Sequence, residues 1–224
     1  MAHPPAAAAA YVRACREASR QGGKASGKLI SQRQALIQWA LSEGLSFATF
    51  SVEGLQLIPP PGAEHTAYHC RLTNTVIKIT HDGSFGWSAE SEGKRATPLE
   101  YLDRLAWQNL LFSDEISIVA VVGEERVMRV VTRHPYIFEA LDSPDITLEE
   151  IDQFFQERNF RKIALNPDAP WFFNPDLSIV IGDGHPGNFI RDQNGQIIPI
   201  DLVIGKPGKE FLGRILHWIE GSDT

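Results

Sequence analysis

The chain has 224 residues, 43% of them hydrophobic and 22% charged, with a net charge of −7. That length suits one domain, or one domain in two lobes, with a real hydrophobic core. The acidic balance argues against a non-specific nucleic-acid binder, which needs clustered Lys and Arg, so no nucleic-acid partner is expected.

The first segment, PPAAAAAYVRACREASR, is alanine-rich and favours helix. It does not read as a secretory signal, because no basic residue precedes a weak alanine core. QGGKASGK, Gln21 to Lys28, reads as a linker or helix stop. LISQRQALIQWALSEG then predicts an amphipathic helix, apolar at Leu29, Ile30, Leu36, Ile37, Ala40 and Leu41 and closed by Gly44. From Ser46 the period changes, and SFATFSVEGLQLI predicts a strand. PPPGAEH breaks it, and TAYHCRL and NTVIKIT follow as two more strands, so residues 46 to about 80 predict an antiparallel meander.

ATPLEYLDRLAWQNLLF predicts a helix, with Thr97 as N-cap, Pro98 first and Glu100 at capping-box spacing. Its apolar face is read as Leu99, Leu102, Leu105, Ala106 and Leu110. ISIVAVVG and RVMRVVT form a hairpin, which RHPYI interrupts. A second capping box, Thr147 with Glu150, opens the helix TLEEIDQFFQERNF, whose aromatics, with those of WFFNPD, are read as core. NPDAPWFFNPD is read as loop, LSIVIGD, NFIRD and QIIPIDLVI as strands, and KEFLGRILHWIEG as a last helix packing through Leu212, Ile215 and Trp218. The order predicts an α+β fold with an antiparallel sheet first. No run of about 18 apolar residues exists, so no membrane span is expected. Cys15 and Cys70 form no CxxC, so a reducing, cytoplasmic setting is the default.

The chemistry concentrates in IGDGHPGNFI and the following IIPIDLVIG. RDQNGQ carries the Asn-Gly pair of a two-residue hairpin loop. With Asn194 and Gly195 as that loop, Gln193 faces Gln196, and the ladder sets Asn188 opposite Asp201. Such neighbours have Cβ atoms about 4.5–5.5 Å apart. An amide oxygen and a carboxylate that close suit a hard cation such as Mg²⁺. Asp183 lies across GHPG from Asn188, in a tight loop beside that pair. One free carboxylate beside a metal-binding Asn and Asp is the layout of a phosphotransferase, with Asp183 as the base. An unpaired acid inside IIPIDLVI is costly to bury, which favours a functional reading of Asp201. His185 reads as a side chain that braces the loop.

Asp183, Asn188 five residues on and Asp201 at the end of the next strand resemble the catalytic and metal loops of protein-kinase-like phosphotransferases. GDGHPGNFI…IPIDL resembles most the form found in aminoglycoside and choline kinases. The wider pattern, with its GAEH turn, VIKIT strand, PLEYLDRL helix and PID strand, also resembles the small kinase domains of polyvalent proteins of phages and conjugative elements. The resemblance implies a compact two-lobed fold with an antiparallel N-lobe sheet and a minimal C-lobe. It divides the chain into a helical extension over 1–45, an N-lobe over 46–134 and a reduced C-lobe over 135–224. It implies ATP and Mg²⁺ as cofactors and a small molecule or a protein as phosphoryl acceptor. Lys78 would contact the phosphates, held by Glu100 or Asp103, with a snorkelling edge lysine as the plainer reading. Gly62 and His65 would belong to the hairpin over the phosphates, and Val131 to His134, with Arg133, to the adenine edge. The sequence departs from protein kinases in lacking GxGxxG, in having Ile181-Gly182 before the base and in having Leu-Val after Asp201. Two other readings stand beside this one: a nucleotide-binding pseudokinase or regulatory module, and a metal-dependent hydrolase using Asp183, His185 and Asp201.

Overall fold

The structure, a computed structural model, describes residues 25–140, 143–163 and 169–222. The alanine-rich opening segment read as helix lies outside these residues. The chain falls into two compact units, one within Met1–Gly86 and Arg95–Tyr136, the other within Trp87–Lys94 and Ile137–Thr224. The architecture is α+β and rich in antiparallel sheet. No helix among the described residues is long and apolar enough to cross a membrane.

The first unit opens with α1, Ala25–Ser42. The helix starts inside QGGKASGK, so residues 25–28 are helical where a linker was expected. Gly44 follows its end at a φ of 69°, the left-handed conformation that glycine adopts without penalty. Strands β1 (Ser46–Phe47), β2 (Gln56–Ile58), β3 (His65–Cys70), β4 (Thr75–Thr80), β5 (Ser117–Val122) and β6 (Arg129–Pro135) form one sheet in the order β1-β5-β6-β4-β3-β2. Helix α2, Pro98–Phe112, lies between β4 and β5 in the chain.

Two expectations are corrected here. The long strand read from Ser46 to Ile58 is two short pieces, and β1 pairs in parallel with β5 rather than joining a meander. A turn closed by the Leu55 N–H donating to the Val52 carbonyl separates the pieces, and Gly54 in it sits at a φ of 77°. Strand β6 runs through Arg133, His134 and Pro135 because these pair with Ile77, Val76 and Thr75, so RHPYI does not interrupt at its start.

Alternation sorts the sheet into two faces. Ile77, Ile79, Ala120, Val122 and Val131 form a buried layer on one face, with Phe50, Leu55 and Tyr68 against it. On the other, Val121, Met128 and Val130 meet Leu36, Trp39 and Ala40 of α1 and Tyr101 and Leu102 of α2. Each Val, Leu, Ile or Met among them contributes about 1.5–3 kcal/mol by leaving water. The helix faces differ from the periodic reading: Trp39 is buried while Leu41 is exposed, and Tyr101, Arg104 and Gln108 are buried while Leu110 is exposed.

In the second unit, α3 (Leu148–Gln156) starts with its capping box formed. Strands β7 (Arg161–Ile163), β8 (Trp171–Asn174), β9 (Ile179–Gly182) and β12 (Val203–Gly205) build an antiparallel sheet in the order β12-β9-β8-β7. WFFN is therefore a strand, not loop, and β7 lies where no strand was read. Strands β10 (Phe189–Arg191) and β11 (Ile197–Pro199) form a separate hairpin, and the run read as one strand, QIIPIDLVI, divides between β11 and β12. Phe155 is fully buried among Phe160, Phe172 and Phe189, with ring centroids 5.7, 4.2 and 6.0 Å away. The last helix, α4 (Lys209–Ser222), packs through Phe211 and Ile215, with Leu212 and Trp218 half covered.

Candidate active site

Each unit carries its own set of polar residues. In the second unit, β9 ends at Gly182 and the chain turns sharply. Asp183 takes the left-handed conformation, φ 61°, which costs an ordinary L-residue about 1–2 kcal/mol and which Asp tolerates better than most. Gly184 follows in a place with no room for a side chain: an added Cβ would lie 2.8 Å from the Pro170 carbonyl oxygen and 2.9 Å from the Phe172 ring. A single 3₁₀ turn, Pro186–Asn188, then leads into β10.

This path folds Asn188 back on Asp183. The Asn188 Nδ2 donates to the Asp183 carbonyl at 2.8 Å and to its carboxylate Oδ2 at 2.9 Å. Asn188 is buried, 8% exposed, whereas Asp183 remains half-exposed. His185 caps the 3₁₀ turn, its Nδ1 accepting the Gly187 N–H at 3.1 Å, and its Nε2 stands 3.7 Å from Asp183 Oδ1.

Asn188 and Asp201 are not cross-strand partners, contrary to the register predicted from the Asn-Gly pair. The observed ladder pairs Phe189 with Pro199, Ile190 with Ile198 and Arg191 with Ile197. The loop has three residues, not two. Asp192 pairs with Gln196 through a 2.9 Å backbone bond, Gly195 takes a φ of 80°, and Asp192 Oδ1 accepts the N–H groups of Asn194 and Gln196. A type I turn ending in a left-handed residue is the usual three-residue hairpin loop. Those N–H groups hold the Asp192 carboxyl below its ordinary range, that of Gln196 most strongly. Asp201 thus lies one residue past the partner of Asn188, half-buried in the bend between β11 and β12.

In the first unit, Lys78 is half-buried on β4, directly across from Ala67 of β3 and Thr132 of β6. It shares the sheet face of His65, His69, Thr132 and His134 by register, opposite Ile77 and Ile79. Arg133 is exposed and belongs to the Ile77 face, so it is not brought beside Lys78. Glu100 completes its capping box, Oε2 accepting the Thr97 N–H at 2.7 Å, and Asp103 follows one turn on. Gly62 precedes β3, where an added Cβ would meet only the His65 carbonyl, at 3.4 Å. His65 is buried, with Nε2 3.1 Å from the Tyr101 hydroxyl.

Three polar residues around this set were not singled out in the sequence. Glu64 and Arg104 form a bidentate pair at 3.2 and 2.6 Å, tying the start of β3 to α2. Arg104 also lies over the Tyr101 ring, 5.0 Å from its centroid. The Glu64 carboxylate rests on Gly86, where any Cβ would collide with it. Asp114, just after α2, accepts from Gln108 Nε2 at 2.6 Å. Burial pushes its carboxyl up to about 6, against the opposing effects of Gln108 and the Lys78 ammonium.

A charged residue on a strand that leads on to a capped helix, and an Asp-Asn loop at a strand end, are features that fit a chain of the kinase class. The sequence profile of serine/threonine/tyrosine kinases found in polyvalent proteins matches residues 30–205, and the chain belongs to that family. No curated protein and no solved structure gives a significant match.

Proposed function

We propose that the chain is an ATP- and Mg²⁺-dependent phosphotransferase of two-lobed form. The small lobe spans residues 46–134, the reduced large lobe 135–224, and residues 1–45 form an extension. Asp183 is the base that accepts or orients the acceptor's hydroxyl proton. Asn188 and Asp201 hold the metal. Lys78 contacts the phosphates with Glu100 or Asp103 as its acid, Gly62 and His65 belong to the phosphate-side loop, and the stretch around Arg133 meets the nucleobase.

The observation that carries this reading is the grip of Asn188 on Asp183. It fixes a half-exposed carboxylate at a strand end and spends the amide nitrogen on it. The amide Oδ1 is then the atom left to turn toward a cation, and the Asp201 carboxylate, in the bend one residue past the partner of Asn188, would complete an all-oxygen donor set suited to Mg²⁺. When bound, the ion supplies charge neutralisation on the phosphates. Lys78 supports the reading because its strand leads on to α2, the order a kinase small lobe needs for its lysine and acid.

Calorimetry with Mg-ATP and an ADP-release assay test this. Wild type is expected to bind and turn over, Asp201→Ala to lose the Mg²⁺-dependent part of binding, and Asp183→Ala to bind without turnover. Equal binding by wild type and Asp201→Ala, or none by wild type, would overturn the metal assignment. Binding with no transfer would make the chain a nucleotide-binding regulatory module.

A further inference from the structure

We infer that His185 is a positioning residue: its Nε2–H aims the Asp183 carboxylate while its Nδ1 holds the loop. The inference rests on the reading of Asp183 as the base. It starts from the two ring nitrogens, which do different things. The Gly187 N–H donates to Nδ1 at 3.1 Å, so that nitrogen is an acceptor and carries no proton. The neutral ring then holds its proton on Nε2. That nitrogen stands 3.7 Å from Asp183 Oδ1, longer than a hydrogen bond, and the inference is that the two close to one when the acceptor binds.

Asn188 Nδ2 holds the other oxygen, Oδ2. The two carboxylate oxygens therefore each face one N–H, from side chains on either side of Pro186–Gly187. Such a pair fixes the rotation of the carboxylate, which a single contact leaves loose. Gly187 makes the arrangement possible, because a Cβ there would press on His185 Cε1 at 3.0 Å and Nδ1 at 3.1 Å. A plain capping role accounts for the Nδ1 contact alone. It does not account for Nε2 facing the acid.

Two substitutions separate the roles. His185→Asn keeps a side-chain acceptor for the Gly187 N–H, since Asn is a good cap, but has no donor where Nε2 stood. His185→Gln is longer and carries an N–H₂ toward Asp183. We expect His185→Asn to lower kcat for ATP turnover about tenfold with KM for ATP unchanged, the scale of one lost charge-assisted hydrogen bond, and His185→Gln to recover most of it. Wild-type kcat in His185→Asn would overturn the inference. Equal losses in both variants with a fall in Tm would also overturn it, in favour of a purely structural histidine. Imidazole ¹⁵N shifts of the full chain, taken above the ring's titration range, give a readout independent of turnover. Protonated Nε2, shifted by Asp183→Ala, is expected; protonated Nδ1, or no response to Asp183→Ala, would overturn the inference. If wild type releases no ADP, the phosphotransferase reading fails, and the shifts still decide whether His185 aims Asp183.

Discussion

Asn188 stands across the hairpin from Ile200, whose N–H donates to the Asn188 carbonyl at 2.9 Å. One residue in the loop decides this, because a slip of one in a ladder turns every side chain to the other face. The loop depends on Gly195 at φ 80°, with nothing within 4 Å of where a Cβ would be. Gly195→Ala should therefore cost about 1–2 kcal/mol from backbone conformation alone, and Gly195→Asn distinctly less. Urea denaturation checks both; an Ala variant as stable as wild type would mean the loop takes another form.

The buried pair Glu64–Arg104 makes a second test. Removing one partner takes away the other's bidentate ion pair in a largely buried place, at a cost of about 3–5 kcal/mol. Arg104→Ala should lie in that range, since it also loses the Tyr101 contact. The double variant with Glu64→Ala should cost less than the two single losses added, by about 0.5–3 kcal/mol. Strict additivity in a double-mutant cycle would deny the coupling.

Asp114 predicts a pH dependence of stability. Its carboxyl is raised from 3.8 to about 6 in the folded chain, so the native state holds this proton more tightly than the unfolded chain. Its effect is therefore to lower stability as pH rises from about 4 to about 6, and the loss persists above that. Asp114→Asn, which keeps an acceptor for Gln108, should gain as much as about 3 kcal/mol at neutral pH and almost nothing near pH 4. Denaturation midpoints at both pH values check it; a gain that does not vary with pH would rule out burial of this carboxylate as the cause.

Two glycines with opposite surroundings should respond with opposite signs. Gly184→Ala drives a Cβ against the Pro170 carbonyl and should cost about 1–3 kcal/mol. Gly213, exposed within α4 with open space around it, should stabilise the chain by about 0.5–1 kcal/mol when changed to Ala. Melting temperatures of the two variants should move apart.

What could be read from the sequence follows the range of the interactions involved. Both capping boxes, Thr97 with Glu100 and Thr147 with Glu150, span three residues and stand as read. NTVIKIT alternates cleanly and becomes β4. WFFN was hidden because Pro170 and Asn174-Pro175 frame it with turn residues, while its pairing with β7 and β9 is tertiary. The parallel β1–β5 pair leaves no local signal at all. Asn194-Gly195 misled through the Asp192 side chain, which captures two N–H groups and lengthens the loop. Arg104 drew no notice in the sequence because its partner, Glu64, lies 40 positions away. Asp183 and Asn188 drew notice because five residues of loop chemistry bring them together, and the contact that joins them is equally short in sequence.

The strand lengths of the two larger sheets among the described residues bear on how the chain meets copies of itself. The six-stranded sheet ends on β1, two residues, and on β2, three residues followed by Pro59, Pro60 and Pro61, which have no N–H to offer. The four-stranded sheet ends on β12 and β7, three residues each. Among the described residues, a passing extended chain would find no more than a short ladder to add to at these rims. The six- and seven-residue strands β4 and β6, which would make good templates for aggregation, are each flanked by neighbours on both sides.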